Sequence, residues 1–227
     1  MPEAAVVVEV FGEGKADIGA DPNPRRPTAG IVPILLDRLC GRPGRMLVKC
    51  MPIPYLQRKR LHQKVQVAKQ QAHGHGSHAA VFVVDSEGGP KELKAKRAQL
   101  EEGRDRKLPD FPMAVGVAHP CIESWLLADA AAIRRGLDLP ATPAVPADPE
   151  SLPAPCHDAD ENPKRVLCKL AGVAKKELSA DEKDCIARAM NDLALVRQRC
   201  PLGFAPFADE AERHIRPLFK EPLKEQA

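Results

Sequence analysis

The sequence predicts an α/β fold: a mostly parallel four-stranded sheet flanked by helices, with a helical elaboration at the C-terminal end. Three observations carry this. Four short Val-rich runs are almost continuously apolar, as in strands covered on both faces. Helix-like stretches separate them, and strand–helix alternation argues for crossover connections in a parallel sheet. After the fourth run the pattern becomes helical only.

The predicted strands are residues 5–11 (AVVVEVF), 46–52 (MLVKCMP), 79–84 (AAVFVV) and 113–118 (MAVGVA). Helices are predicted between them over 29–40, 59–71 and 90–102. Residues 121–128 (CIESWLLA) and 130–137 read as helix, and six prolines then fall within 140–160. So proline-dense a stretch reads as a loop, lid or linker. Beyond it, 163–172, 179–199 and 207–219 are predicted helical, with Ser179 and Glu182 spaced as a capping box. The organisation expected is an α/β domain over 1–138, a Pro-rich connection over 139–161, and a helical region over 162–227 packed on the sheet.

Composition narrows the functional classes. The chain has 227 residues, 44% of them hydrophobic and 29% charged, enough to build a sizeable core. The 34 basic and 31 acidic residues leave a net charge of +3, so bulk charge would not drive nucleic-acid binding. No apolar run approaches the ~18 residues that span a bilayer, and the start lacks a basic signal-peptide region. Seven scattered cysteines without a CxxC pair read as reduced thiols in a cytoplasmic protein.

The acids fall where a parallel sheet binds ligands, beyond the carboxyl ends of its strands. The first strand runs into Gly12-Glu13-Gly14-Lys15-Ala16-Asp17, and the third ends Asp85-Ser86-Glu87-Gly88-Gly89. Glu123 follows the fourth strand in the first turn of a helix. Each feature alone has an ordinary structural use, in a turn, after a strand, or at a helix start. Together they would repel one another unless a cation sat among them. Oxygen donors without Cys or His suit Mg²⁺ or Mn²⁺ rather than zinc, and phosphoryl transfer is the chemistry that uses such a cluster.

Other features supply secondary candidates. Lys91, Lys94, Lys96 and Arg97 follow closely on the acid-x-acid loop, where they could steer a phosphate backbone or form a solvated helix face. Arg58–Lys64 is a second basic stretch. Lys175 and Lys176 are candidates for a transition-state cation. The tract His73-Gly74-His75-Gly76-Ser77-His78 is expected as a solvated loop at the amino end of the third strand, with a transition metal as the alternative. Trp125, Phe204 and Phe207 read as core residues.

Several segments resemble a known family. FGEGKAD at 11–17 resembles the "VEGxTE" opening of TOPRIM-related proteins, VVDSEG resembles their D-x-D motif, and IESWLLAD resembles an "EaWLLAD" signature. Further on, residues 162–167 resemble a "dPKkxL" segment and 191–207 a closing "cPsFxxF" pattern. Together they resemble the TOPRIM-related bacterial family called domain of unknown function 4276. The resemblance implies a TOPRIM-like, Rossmann-like fold with a bound Mg²⁺. It implies Glu13 as general acid/base or metal ligand, Asp85 and Glu87 as Mg²⁺ ligands, and Glu123 as a further one. Two departures stand out: Asp17 where Glu is usual in the opening motif, and Glu87 where the second Asp is usual.

The leading expectation is therefore a Mg²⁺- or Mn²⁺-dependent phosphodiesterase acting on nucleic acid, in a defence or repair module. Its candidate metal ligands are Glu13, Asp17, Asp85, Glu87 and Glu123, its catalytic residues Glu13, Lys175 and Lys176, and its nucleic-acid contacts Lys91, Lys94 and Arg97. Two alternatives stay open. One is a non-catalytic metal-binding partner of an ATPase, since the chain has no Walker A motif of its own. The other is a hydrolase or transferase of a small phosphorylated metabolite.

Overall fold

The computed structural model describes residues 6–19, 29–41, 46–52, 59–155 and 161–219. Ala5, Arg58 and the end of the Pro-rich stretch (156–160) lie outside them. Strands β1 (Val6–Gly12), β2 (Met46–Pro52), β3 (Ala79–Asp85) and β4 (Met113–Ala118) form a parallel sheet in the order β2-β1-β3-β4.

That order has a consequence for function. The chain leaves β1 for a neighbour on one side, then returns across it to place β3 on the other side. The carboxyl ends of β1 and β3 therefore flank a topological switch point, where connections diverge to opposite faces and a crevice opens. Helices α1 (Lys15–Ile18) and α2 (Ile31–Cys40) connect β1 to β2, and α2 packs on one face of the sheet. Helices α3 (Leu61–Gly74) and α4 (Pro90–Asp105), the next two crossovers, cover the other.

Period-two alternation divides the strands between two cores. Val8, Val10, Val81, Val83 and Ala114 face α2, whereas Phe11, Ala80, Phe82, Val84 and Val115 face α3 and α4. The unbroken apolar runs are thus explained by burial on both sides. Glu9 is the exception within β1: it is buried, and His75 beyond α3 bonds its carboxylate at 2.9 Å. His78 accepts the Val7 amide N–H at 3.0 Å. The histidine tract thus packs beside the early residues of β1, at the amino end of β3 and away from the acids.

After β4 come α5 (Glu123–Leu127), α6 (Ala130–Leu137), α7 (Pro163–Val173), α8 (Ala180–Ala189), α9 (Leu193–Arg199) and α10 (Phe204–His214). They share the core of the α2 face with the sheet, so the C-terminal third is built onto it. Trp125 is fully buried, stacked on Phe207 at 5.3 Å and edge-on to Phe204 at 5.4 Å. Phe207 packs so tightly on β4 that a Cβ at Gly116 would stand 2.7 Å from its ring.

The helix expected over 179–199 is two helices. Asp192 accepts the Leu195 N–H and starts α9 afresh, because a short acid competes well for free amides at a helix start. The Ser179–Glu182 capping box is present at the head of α8. The last expected helix starts earlier, at Phe204. It gives way to a 3₁₀ turn over Arg216–Phe219, where Pro217 cannot continue an α-helix. Asp184 on α8 accepts the Ala29 and Gly30 amides at 2.6 and 3.1 Å, fastening α8 to the start of α2. Among the described residues, no helix is long and apolar enough to cross a membrane.

Candidate functional site

Glu13, Asp17 and Asp85 line one small cleft at the switch point, together with Gly12, Gly14, Val83 and Ile122. Asp85 is the last residue of β3 and accepts the Ile122 amide at 3.0 Å. Glu13 follows β1 directly and is exposed at the mouth. Asp17 reaches the cleft because its carboxylate folds back over Gly14. A Cβ on that glycine would stand 2.0 Å from Asp17 Oδ2, so a side chain there would displace the acid.

Glu123 opens α5 and is 5% exposed. It is held by a residue the sequence reading missed. Lys183 of α8 donates to Glu123 Oε1 at 2.6 Å and stands 3.7 Å from Asp17 Oδ1. This lysine is a cation shared between two of the acids.

The electrostatics follow from that placement. Burial pushes the Asp85 carboxyl well above its ordinary range, and the charges of Glu123, Asp17 and Glu13 push it further. The Ile122 amide only partly opposes them. Asp17 rises to about 6, chiefly by burial, with Lys183 pulling against it. Burial would raise Glu123 too, but the Lys183 ammonium overrides it and the carboxyl stays below its ordinary value. Burial likewise works against the charge on Lys183, and Glu123 and Asp17 restore it to above its usual value. Lys183 thus stabilises Glu123 as an anion and, with Lys164, offsets only part of the cost of burying Asp17, while Asp85 stays destabilised as an anion.

The remaining expected residues are placed differently. Glu87 turns outward: its φ is +54°, its side chain is 64% exposed, and Lys96 pairs with it at 3.4 Å. It does not line the cleft beside Asp85. A residue with positive φ reverses the chain locally, so the two acids of the acid-x-acid motif part company. Lys175 and Lys176 lie exposed in the turn after α7, where their amides close the helix on Gly172 and Ala171. Lys91 and Lys94 are exposed on α4, which begins at the same sheet edge. Arg97 is half-buried and donates to the Leu202 carbonyl, while Lys96 donates to the Asp85 carbonyl at 2.7 Å.

Among the described residues, no group of three or more His, Cys, Asp or Glu is arranged to hold a metal ion. Zinc, which takes three or four protein ligands, does not fit. Mg²⁺ asks less, since one or two carboxylates suffice when waters and phosphate oxygens complete the shell. Asp85 and Asp17 meet that requirement by chemistry: both are acids raised by burial, and Asp17 Oδ1 is buried without a hydrogen bond. The cleft has about 20 Å³ of space open to water centres, room for about one water or ion.

Compared with known proteins, the chain matches no family model, no curated protein and no solved structure. Its motifs and this geometry are what bear on its function.

Proposed function

We propose that the crevice between β1 and β3 binds Mg²⁺ or Mn²⁺ and that the protein is a TOPRIM-type phosphodiesterase acting on nucleic acid. One observation carries the reading: Asp85, half-buried at the end of β3, shares one small cleft at the switch point with Asp17 and Glu13. Such crowding is costly in a folded protein unless a cation or a reaction uses it.

In this reading Asp85 and Asp17 would hold the ion. When bound, the ion supplies Lewis-acid polarisation of the phosphoryl group. Glu13, exposed at the mouth, takes the proton of the attacking water. The water oxygen bonds to phosphorus, the P–O bond to the leaving oxygen breaks, and Glu13 returns the proton to that oxygen. Glu123 acts through Lys183, fixing the ammonium behind Asp17.

The size of the cleft supports an extended substrate. A space for about one water or ion suits a substrate held at the mouth better than one enclosed in the cleft. The substrate would lie across the edge, where Lys91 and Lys94 can neutralise successive phosphates.

Calorimetric titration with Mg²⁺ and Mn²⁺, on wild type and Asp85→Ala, tests the site. A cutting assay on single- and double-stranded DNA and RNA tests the reaction. The reading expects binding and metal-dependent cutting in wild type and neither in the variant. Wild type that binds no metal would overturn it, and binding without cutting would leave a metal-binding protein that is not a nuclease.

A further inference from the structure

A larger cavity of about 450 Å³ lies at the amino end of β4, across the sheet from the carboxylate crevice. β4 separates the two, and its six residues at ~3.3 Å each span about 20 Å. The volume falls within the ~300–1,000 Å³ typical of small-molecule sites. One part of the wall is apolar, formed by Phe111, Pro112, Met113 and Leu218. The other part carries Lys69, Arg104, Arg213 and His214.

Three of these basic groups have donor capacity to spare. Lys69 is almost wholly buried, and among the described residues its ammonium donates one hydrogen bond, to the Arg104 carbonyl at 2.7 Å. His214 Nε2 is buried without a hydrogen bond, and Glu210 approaches it no closer than 3.8 Å. Arg213 is 70% exposed and stands 3.9 Å from Glu210. The nearby acids are already engaged: Arg104 binds Asp105 through Nε at 2.7 Å and Glu210 through a second nitrogen. Asp110, at the mouth, is the opposing charge.

We infer that this cavity is a second ligand site, taking a small organic anion whose apolar body lies on Phe111 and Leu218 and whose charged group meets Lys69, Arg213 and His214. Burial pulls the Lys69 ammonium below its ordinary value, so an anion beside it restores a charge the fold otherwise penalises. The apolar wall explains why an organic anion suits the site better than inorganic phosphate.

The test uses phenyl phosphate as probe, added without metal to the full chain and followed by amide chemical shifts. Shifts confined to the residues around Phe111 and Arg213–Leu218, saturating below about 10 mM, are expected. Arg213→Gln, an exposed change that leaves the core intact, should weaken binding about fivefold, and Asp110→Asn should tighten it by a similar factor. Inorganic phosphate should bind more weakly than phenyl phosphate. Absence of saturable shifts, equal affinity for the two phosphates, or indifference to both variants would each overturn the inference. None of these outcomes depends on activity at the carboxylate crevice.

Discussion

Lys183 Nζ lies 2.6 Å from Glu123 Oε1, a buried ion pair that joins α8 to the head of α5. The pair turns an accumulation of acids into an ordered edge. Lys183 settles Glu123, relieves Asp17 in part, and leaves Asp85, which it does not pair with, pressed upward by its neighbours.

Breaking that pair from one side should be costly. Lys183→Met leaves Glu123 as a buried, unpaired charge, and such losses run to about 3–5 kcal/mol. Removing both charges, in Lys183→Met with Glu123→Leu, should recover much of the loss. Urea denaturation of the two variants measures the difference, and equal destabilisation would contradict the pairing.

Asp85→Asn should separate stability from function. An amide carries no charge for burial and three acids to penalise, so the metal-free protein should melt higher. A gain of about 1 kcal/mol would appear as roughly 2–4 °C in a chain of this size. Metal binding and metal-dependent cutting should be lost together in the same variant.

Gly14→Ala should act on Asp17 alone. The added methyl occupies the place of the Asp17 carboxylate, whose flexible end can swing aside with little effect on the fold. Thermal melting should change by no more than about 2–4 °C, while Mg²⁺ affinity falls at least about tenfold. Unchanged affinity would remove Asp17 from the ligand set.

A pH effect should arise away from the site. Glu150 is buried where it accepts the Leu202 and Gly203 amides at 2.7 and 2.6 Å, tying the Pro-rich segment to the start of α10. Burial raises its carboxyl from 4.5 to about 7, against the pull of those amides. The folded state therefore holds this proton more tightly than the unfolded chain. The resulting stability is fully present below pH 4.5 and is lost as pH rises through about 7, by up to about 3 kcal/mol. Glu150→Gln should remove its share of this slope in denaturation curves, leaving the share of Asp17, which rises to about 6 in the same sense.

The sheet was legible because each strand is a run of apolar residues that only a doubly covered strand can bury. The acids were legible for a related reason: Glu13 and Asp85 adjoin strand ends, so strand position fixes their edge. Their partner was not. Lys183 is 60 residues from Glu123 in the chain, and on its own helix it looks like an ordinary charge among Asp181, Glu182 and Asp184. Glu87 stands apart from Asp85 for a local reason, a positive φ just past β3 that residue type alone does not announce.

The adjacent residues Lys183 and Asp184 grip different parts of the early chain, one the acidic edge and the other the start of α2. During synthesis the chain emerges from its N-terminal end first. Every acid of the crevice therefore leaves the ribosome before the lysine that orders them. The edge is finished only when α8 arrives, so a ribosome-bound fragment ending before residue 183 carries all of its acids and lacks the counter-charge that arranges them.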